Sequence, residues 1–195
     1  MEQVGFIGLG KMGLPMVRSL SRNAEIVVRA FDTQEEPFGV LAGDPAFGTR
    51  LLRAGGLSEL GGCSVVITML PSSVATNAVI EGGEGTGLMD LLSPGSTLID
   101  MGSSNPAETQ RLAEVLATRG IQLVDAPVSG SVAKAGSGTL SIMAGCDEAT
   151  LARLRFVFDF MGEEVFATGR TGSAHALKAL NNYVYAAGLL AVSEA

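Results

Sequence analysis

The chain has no tryptophan, a single histidine and only two cysteines in 195 residues. One histidine excludes His-rich metal sites and argues against a Ser-His-Asp hydrolase. Cys63 and Cys146 stand far apart, with no C-x-x-C and no companion ligands. They read as reduced core thiols of a cytoplasmic protein, and no metal site is expected. Positive charge is also scarce: 13 Lys and Arg against 20 Asp and Glu give a net charge of −7. Nucleic-acid binding wants a basic face, so no nucleic-acid partner is expected. No basic amphipathic segment is present for a membrane surface. No apolar run reaches the ~18 residues that span a bilayer. The N-terminus enters an apolar strand without a basic stretch, so no signal peptide is expected.

What is present is apolar residues, at 47%, and 26 glycines. That suits one domain, or one domain and a fragment of a second. The most informative glycines are Gly8, Gly10 and Gly13, a G-x-G-x-x-G within Gly8-Leu9-Gly10-Lys11-Met12-Gly13. The motif follows an apolar run, Val4 to Ile7, that reads as a strand. It precedes Met12, Met16, Val17 and Leu20, whose spacing predicts a helix. Strand, glycine turn and helix lay a pyrophosphate on a helix N-terminus. Gly8 permits the turn, Gly10 lets backbone approach the phosphates, and Gly13 lets helix pack on strand.

A second strand is expected over Glu25 to Phe31, and Asp32 follows it nineteen positions beyond Gly13. That is close to the ~20 residues at which an acid accepts hydrogen bonds from the adenosine ribose. A carboxylate there repels the extra phosphate of NADP, so the sequence favours NAD. Arg29 stands nearby and is expected to point away.

Further on, strands and helices alternate, which predicts a mostly parallel sheet wrapped by helices. Residues 33–62 are poorly patterned and support only a short helix within 48–60. Strands are expected at Ser64–Leu70, Thr97–Met101, Ile121–Ala126, Leu140–Ala144 and Glu164–Ala167. The Leu140–Ala144 strand is expected to extend the main sheet. Pro71-Ser72-Ser73 caps a helix running to about Ile80, and a glycine-rich turn follows over 82–87. Asn105-Pro106-Ala107-Glu108 reads as a cap, a first-turn proline and a capping-box acid. Asp147 caps another helix. Ser173 or Ala174 opens a last helix, apolar nearly all round, which wants a partner surface. We expect it to hold a homodimer together.

Asp125-Ala-Pro-Val-Ser-Gly-Ser131 and the run Gly172 to Asn182 are two further distinctive stretches. Lys178 and Asn182 are four apart and share a helix face. A lysine of this kind can exchange a proton with a hydroxyl, and an amide can hold the same oxygen. A Ser/Gly turn after a strand can cradle a carboxylate with N–H groups and a hydroxyl.

These stretches, with the N-terminal glycines, Thr68-Met-Leu-Pro-Ser72 and Leu98-Ile-Asp-Met-Gly-Ser-Ser104, closely resemble the β-hydroxyacid dehydrogenase family. That family includes 3-hydroxyisobutyrate dehydrogenases and tartronate semialdehyde reductases. The resemblance spans nearly the whole chain. It implies a Rossmann-like doubly wound domain over 1–172 and the start of an interdomain helix over 173–195. The family's all-helical C-terminal domain is absent from this sequence. The resemblance further implies an NAD-dependent oxidoreductase that interconverts a small β-hydroxyacid and its aldehyde or keto acid. Lys178 would be the general acid/base. Asn182, Ser129, Gly130 and Ser131 would bind the carboxylate substrate. Leu70, Pro71 and Ser103 would join Gly8 to Gly13 and Asp32 around the cofactor. Ser131 departs from the family's usual Ser-Gly-Gly, and Gly102-Ser103 departs from its usual Asp-Met-Ser-Thr. Residues Asp44 to Thr49 read as additional. His175, three before Lys178, reads as a cap or packing residue. The alternative reading is a domain that holds the cofactor without turnover. Related imine reductases usually lack the lysine, so Lys178 argues against them.

Overall fold

The computed structural model describes residues 1–83 and 85–195. Six parallel strands form the main sheet: β1 (Glu2–Ile7), β2 (Ile26–Phe31), β3 (Leu51–Arg53), β4 (Val65–Thr68), β5 (Thr97–Asp100) and β6 (Gln122–Asp125). Their spatial order is β3-β2-β1-β4-β5-β6, the doubly wound order of dinucleotide-binding domains. The strands read as near-continuous apolar runs because both faces are covered. Val4, Phe6, Val65 and Ile67 pack on one side with Met16, Val17 and Leu20 of helix α1 (Gly13–Leu20). Ile7, Val66 and Leu98 face the other side. There they meet Ile80 of α3 (Ser73–Glu81) and Leu112 and Leu116 of α5 (Pro106–Ala117). Between the latter two helices lies the short α4 (Leu88–Leu91).

Three expectations need correction. Leu140–Ala144 forms β8, but it does not extend the main sheet. After β6 the chain turns at Ala126-Pro127 into β7 (Val128–Ser129), and β7 pairs antiparallel with β8. β9 (Gly162–Ala167) completes a separate three-stranded sheet, parallel to β8. The second correction concerns 33–62. The short helix expected within 48–60 is there as a 3-10 turn over Leu57–Leu60, but the segment also holds α2 (Glu36–Leu41) and β3, which its pattern did not suggest. The third concerns Asn105. Its side chain accepts from Ala107 N–H, as a cap should. The capping box does not close, however. Glu108 turns to Arg111 and Asn77, and the Asn105 N–H donates to Ser73 Oγ instead.

Ser72 and Asp147 cap their helices as expected. Asp147 heads α7 (Glu148–Phe158), which buries Leu151, Leu154, Val157 and Phe158. The short α6 (Val132–Ser137) lies between β7 and β8. Helix α8 (Ser173–Glu194) ends the described chain. The glycine turn expected over 82–87 includes Glu84, which lies outside the described residues.

Candidate functional site at the carboxyl ends of the strands

The three motif glycines have different reasons to be glycine. Gly8 has φ of +97°, and a Cβ there would lie 2.4 Å from the Met69 carbonyl. A Cβ on Gly13 would stand 1.8 Å from the Gly8 carbonyl. Both positions are closed by the protein itself. A Cβ on Gly10 would meet nothing within 4 Å. The protein has no steric need of a glycine at Gly10, whereas an approaching phosphate does. The N–H groups of Gly10, Lys11 and Met12 have no hydrogen-bond partner among the described residues. They open α1, where orphan donors and the helix dipole favour an anion.

Asp32 closes the other side of this loop. One of its oxygens accepts the Leu9 N–H at 2.6 Å, and the other accepts the Gln34 N–H at 2.8 Å. Each carboxylate oxygen keeps a free lone pair for a ribose hydroxyl. A cleft of about 420 Å³ runs beside them, lined by Leu9, Gly10, Lys11, Leu14, Asp32 and Glu36 among others. Two carboxylates in that lining disfavour an additional phosphate. Arg29 points away as expected, bonding Gln3 across the sheet at 2.9 Å. The residues present therefore fit a dinucleotide, with orphan donors for its pyrophosphate and an acid for its ribose.

Leu70 is half-buried and Pro71 exposed, just beyond β4. Leu70 flanks the loop, since a Cβ on Gly8 would lie 3.1 Å from its Cδ2. Of the two serines after β5, Ser104 donates to Asp100 at 2.6 Å, so its hydroxyl is engaged. Ser103 is exposed.

The second half of the site depends on Asp125, at the end of β6. Fully buried, it accepts the Gly172 N–H at 2.7 Å and the His175 N–H at 2.8 Å. These donors belong to the first turn of α8 and the residue before it. The carboxylate therefore satisfies orphan helix donors and meets the positive end of α8. His175 is 1% exposed and does act as a packing residue. Its Nε2 faces the Gly102 carbonyl at 3.1 Å, and its Nδ1 faces Thr109 Oγ1 at 2.8 Å. A carbonyl only accepts, so Nε2 carries a proton and donates to Gly102. This anchor of Asp125, Thr109 and His175 ties α8 to β5, α5 and β6. Sequence reasoning assigned no role to Asp125 or Thr109. Their partners lie 47 to 66 residues away, so no local pattern marks them.

Beyond the anchor, Lys178 is half-buried and Asn182 exposed, one turn apart on α8. Burial pushes the Lys178 ammonium below the ordinary lysine pKa. Gly130 holds φ of +146°, and Ser129 is half-buried beside it. Ser131 caps α6, its oxygen accepting the Lys134 N–H at 3.3 Å. That bond gives the Ser131 side chain a structural use, and it leaves the hydroxyl proton free to donate.

Fold and loop together define a dinucleotide-binding α/β domain with the nucleotide site at the carboxyl ends of its strands. Residues 3–169 match the NAD binding domain of 6-phosphogluconate dehydrogenase, and the chain belongs to that family. Among curated proteins it is 32% identical over 193 residues to 2-(hydroxymethyl)glutarate dehydrogenase of Eubacterium barkeri. That alignment covers 99% of this chain and 62% of the relative. It is 33% identical to 3-hydroxyisobutyrate dehydrogenase of Pseudomonas aeruginosa, over the whole chain and 63% of that protein. Among solved structures, Mycobacterium tuberculosis 3-hydroxyisobutyrate dehydrogenase with L-serine superposes with a TM-score of 0.86 at 31% identity. The match covers all of this chain and 63% of that one. The chain thus spans somewhat less than two thirds of the relatives it matches, and the resemblance read from its motifs holds. No helix among the described residues is long and apolar enough to cross a membrane.

Proposed function

We propose that the chain is the cofactor-binding and proton-transferring part of an NAD-dependent oxidoreductase. It would interconvert a small β-hydroxyacid and its aldehyde or keto acid. The observation that carries this reading is Lys178. It sits half-buried on a helix whose start is fastened to the end of β6 by Asp125, and its pKa is lowered by burial. General acid/base work needs a lysine tuned in that direction.

In the oxidation direction the Lys178 amine takes the substrate hydroxyl proton. In the reduction direction the ammonium returns a proton to the same oxygen. Asn182, one turn on, donates its amide to that oxygen and adds no charge. The backbone of Ser129-Gly130-Ser131, with the Ser131 hydroxyl, binds the substrate carboxylate. NAD, when bound, supplies the hydride acceptor or donor. Gly8, Gly10, Gly13 and the N–H groups of Gly10 to Met12 hold its pyrophosphate end, Asp32 its ribose, and Leu70, Pro71 and Ser103 flank it. NAD is preferred over NADP because Asp32 and Glu36 both line the cleft.

The domain runs over 1–172, and 173–195 begins an interdomain helix. Exposed Leu180, Tyr183, Val184, Leu189 and Leu190 on that helix support a homodimer formed through it. Two free, buried cysteines are in keeping with a cytoplasmic protein.

The test is NAD-dependent turnover of 3-hydroxyisobutyrate, glycerate, threonate and 3-hydroxypropionate, with Lys178→Ala beside the wild type. Turnover that disappears in the variant while NAD binding persists supports the reading. Turnover that survives the substitution removes Lys178 from the chemistry. The second reading, a domain that binds NAD without turnover, draws on the exposure of Asn182 and of α8 beyond it. NAD binding without turnover of any of the four acids would favour it.

A further inference from the structure

A second cleft, of about 430 Å³, shares no lining residue with the cleft beside the nucleotide loop. Its lining includes Pro15, Arg18, Arg22, Asp44, Arg50 and Gly136. Arg18 and Arg22 stand at the C-terminal end of α1, just before β2, and Arg50 immediately precedes β3. The cleft therefore opens at the amino ends of β2 and β3. The nucleotide site uses the other end of the same strands, so the two are separate.

Three guanidiniums converge here in a protein whose net charge is −7. One carboxylate, Asp44, answers them, and it is engaged. It accepts Arg18 Nε at 2.8 Å and the Ala46 N–H at 2.9 Å. Arg22 donates to the Gly136 carbonyl at 2.7 Å and to Ser19 Oγ at 3.4 Å. Arg50 is different. Its Nε is buried and has no hydrogen-bond partner among the described residues. The terminal nitrogens of Arg50 also bond none of the described residues, and Arg50 lines the cleft. Arg18 and Arg22 also offset the negative end of α1. That role accounts for two of the arginines and leaves Arg50 unexplained. The segment carrying Asp44 and bringing Arg50 into place is the one that reads as additional in the sequence.

We propose that Arg18, Arg22 and Arg50 form an anion site for a small phosphate monoester, distinct from the cofactor cleft. Guanidinium forks match the paired oxygens of a phosphate, and each guanidinium here keeps donors unspent on protein. The volume suits a small metabolite and falls at the lower end of ordinary ligand pockets.

The experiment is the melting temperature of the chain against inorganic phosphate, with chloride-matched controls, and against citrate. The wild type should gain stability with phosphate beyond the chloride control and beyond citrate. Arg50→Gln should weaken the apparent phosphate affinity at least tenfold. Arg22→Gln, an exposed position, should weaken it too and serves if Arg50→Gln fails to fold. Lys11→Gln, in the nucleotide loop, should leave the phosphate effect intact. The proposal is overturned by a wild type indifferent to phosphate, or by an effect unchanged in the arginine variants. It is equally overturned by an effect lost in Lys11→Gln, which would assign the phosphate to the nucleotide loop. A response to citrate alone would overturn the phosphate class.

Discussion

The nucleotide loop and helix α8 are built in opposite ways. At the loop, nearly every atom is fixed by its neighbours: Gly8 and Gly13 are closed by backbone, and Asp32 is bonded twice. What stays free there is one row of N–H groups and the open space over Gly10. Helix α8 is fixed only at its start, through Asp125 and His175, and from Leu180 onward it is exposed. The loop is finished within this chain, whereas α8 carries Lys178 at the border between buried and bare. Cofactor binding should therefore belong to this chain alone, and turnover should depend more on what α8 meets.

Substitutions can break that contrast, and the largest effect is expected at Gly13. Alanine there pushes a Cβ into the Gly8 carbonyl and should cost about 3–5 kcal/mol, read by denaturant unfolding. A loss below about 1 kcal/mol would mean that α1 moves away from β1 without penalty. Asp125→Ala comes next. It strips the carboxylate from two buried N–H groups and the start of α8, for about 2–4 kcal/mol. The same variant should lose activity without losing NAD affinity, since the anchor serves only the second half of the site. Equal loss of both would join the two halves into one unit.

A smaller effect, in rate, comes from pH. Burial favours the neutral amine of Lys178, so its pKa in the folded chain lies below the ordinary lysine value. In the proposed chemistry oxidation would use the amine and should speed up as pH rises through that pKa. Reduction would use the ammonium and should slow down over the same window. A profile with no such opposed pair, measured in both directions, would deny Lys178 the proton. The smallest effect is expected from Leu189→Ser with Leu190→Ser. Both residues are exposed in the single chain, so its own packing should not suffer. On a sizing column the proposed dimer through α8 predicts a shift of the pair to the monomer volume, and an unchanged elution volume would contradict that contact.

The two regions also differed in how far they could be read from sequence. The glycine loop was legible because its spacing encodes steric demands that recur wherever a pyrophosphate is held. Lys178 and Asn182 stood out mainly through the family resemblance, since a lysine on a helix is ordinarily a solvated one. The anchor beneath them was illegible, because Asp125, Thr109 and His175 come from three distant segments. Among the elements, α2 was hidden by Pro37 and Gly39 inside its six residues. β3 is three residues long and owes its existence to pairing with β2 rather than to its own pattern. β8 was correctly placed as a strand but assigned to the wrong sheet, because periodicity reports burial and not pairing partner.

Gly10 separates ligand from protein, because a Cβ there would disturb a bound pyrophosphate and meet nothing in the chain within 4 Å. The measurement is calorimetric titration of NAD into the wild type and Gly10→Val, with the melting temperature of each. Gly10→Val should melt close to the wild type and lose at least tenfold in NAD affinity. Equal NAD affinity in the two proteins would contradict it, and the pyrophosphate would then have to lie elsewhere than on the N-terminus of α1.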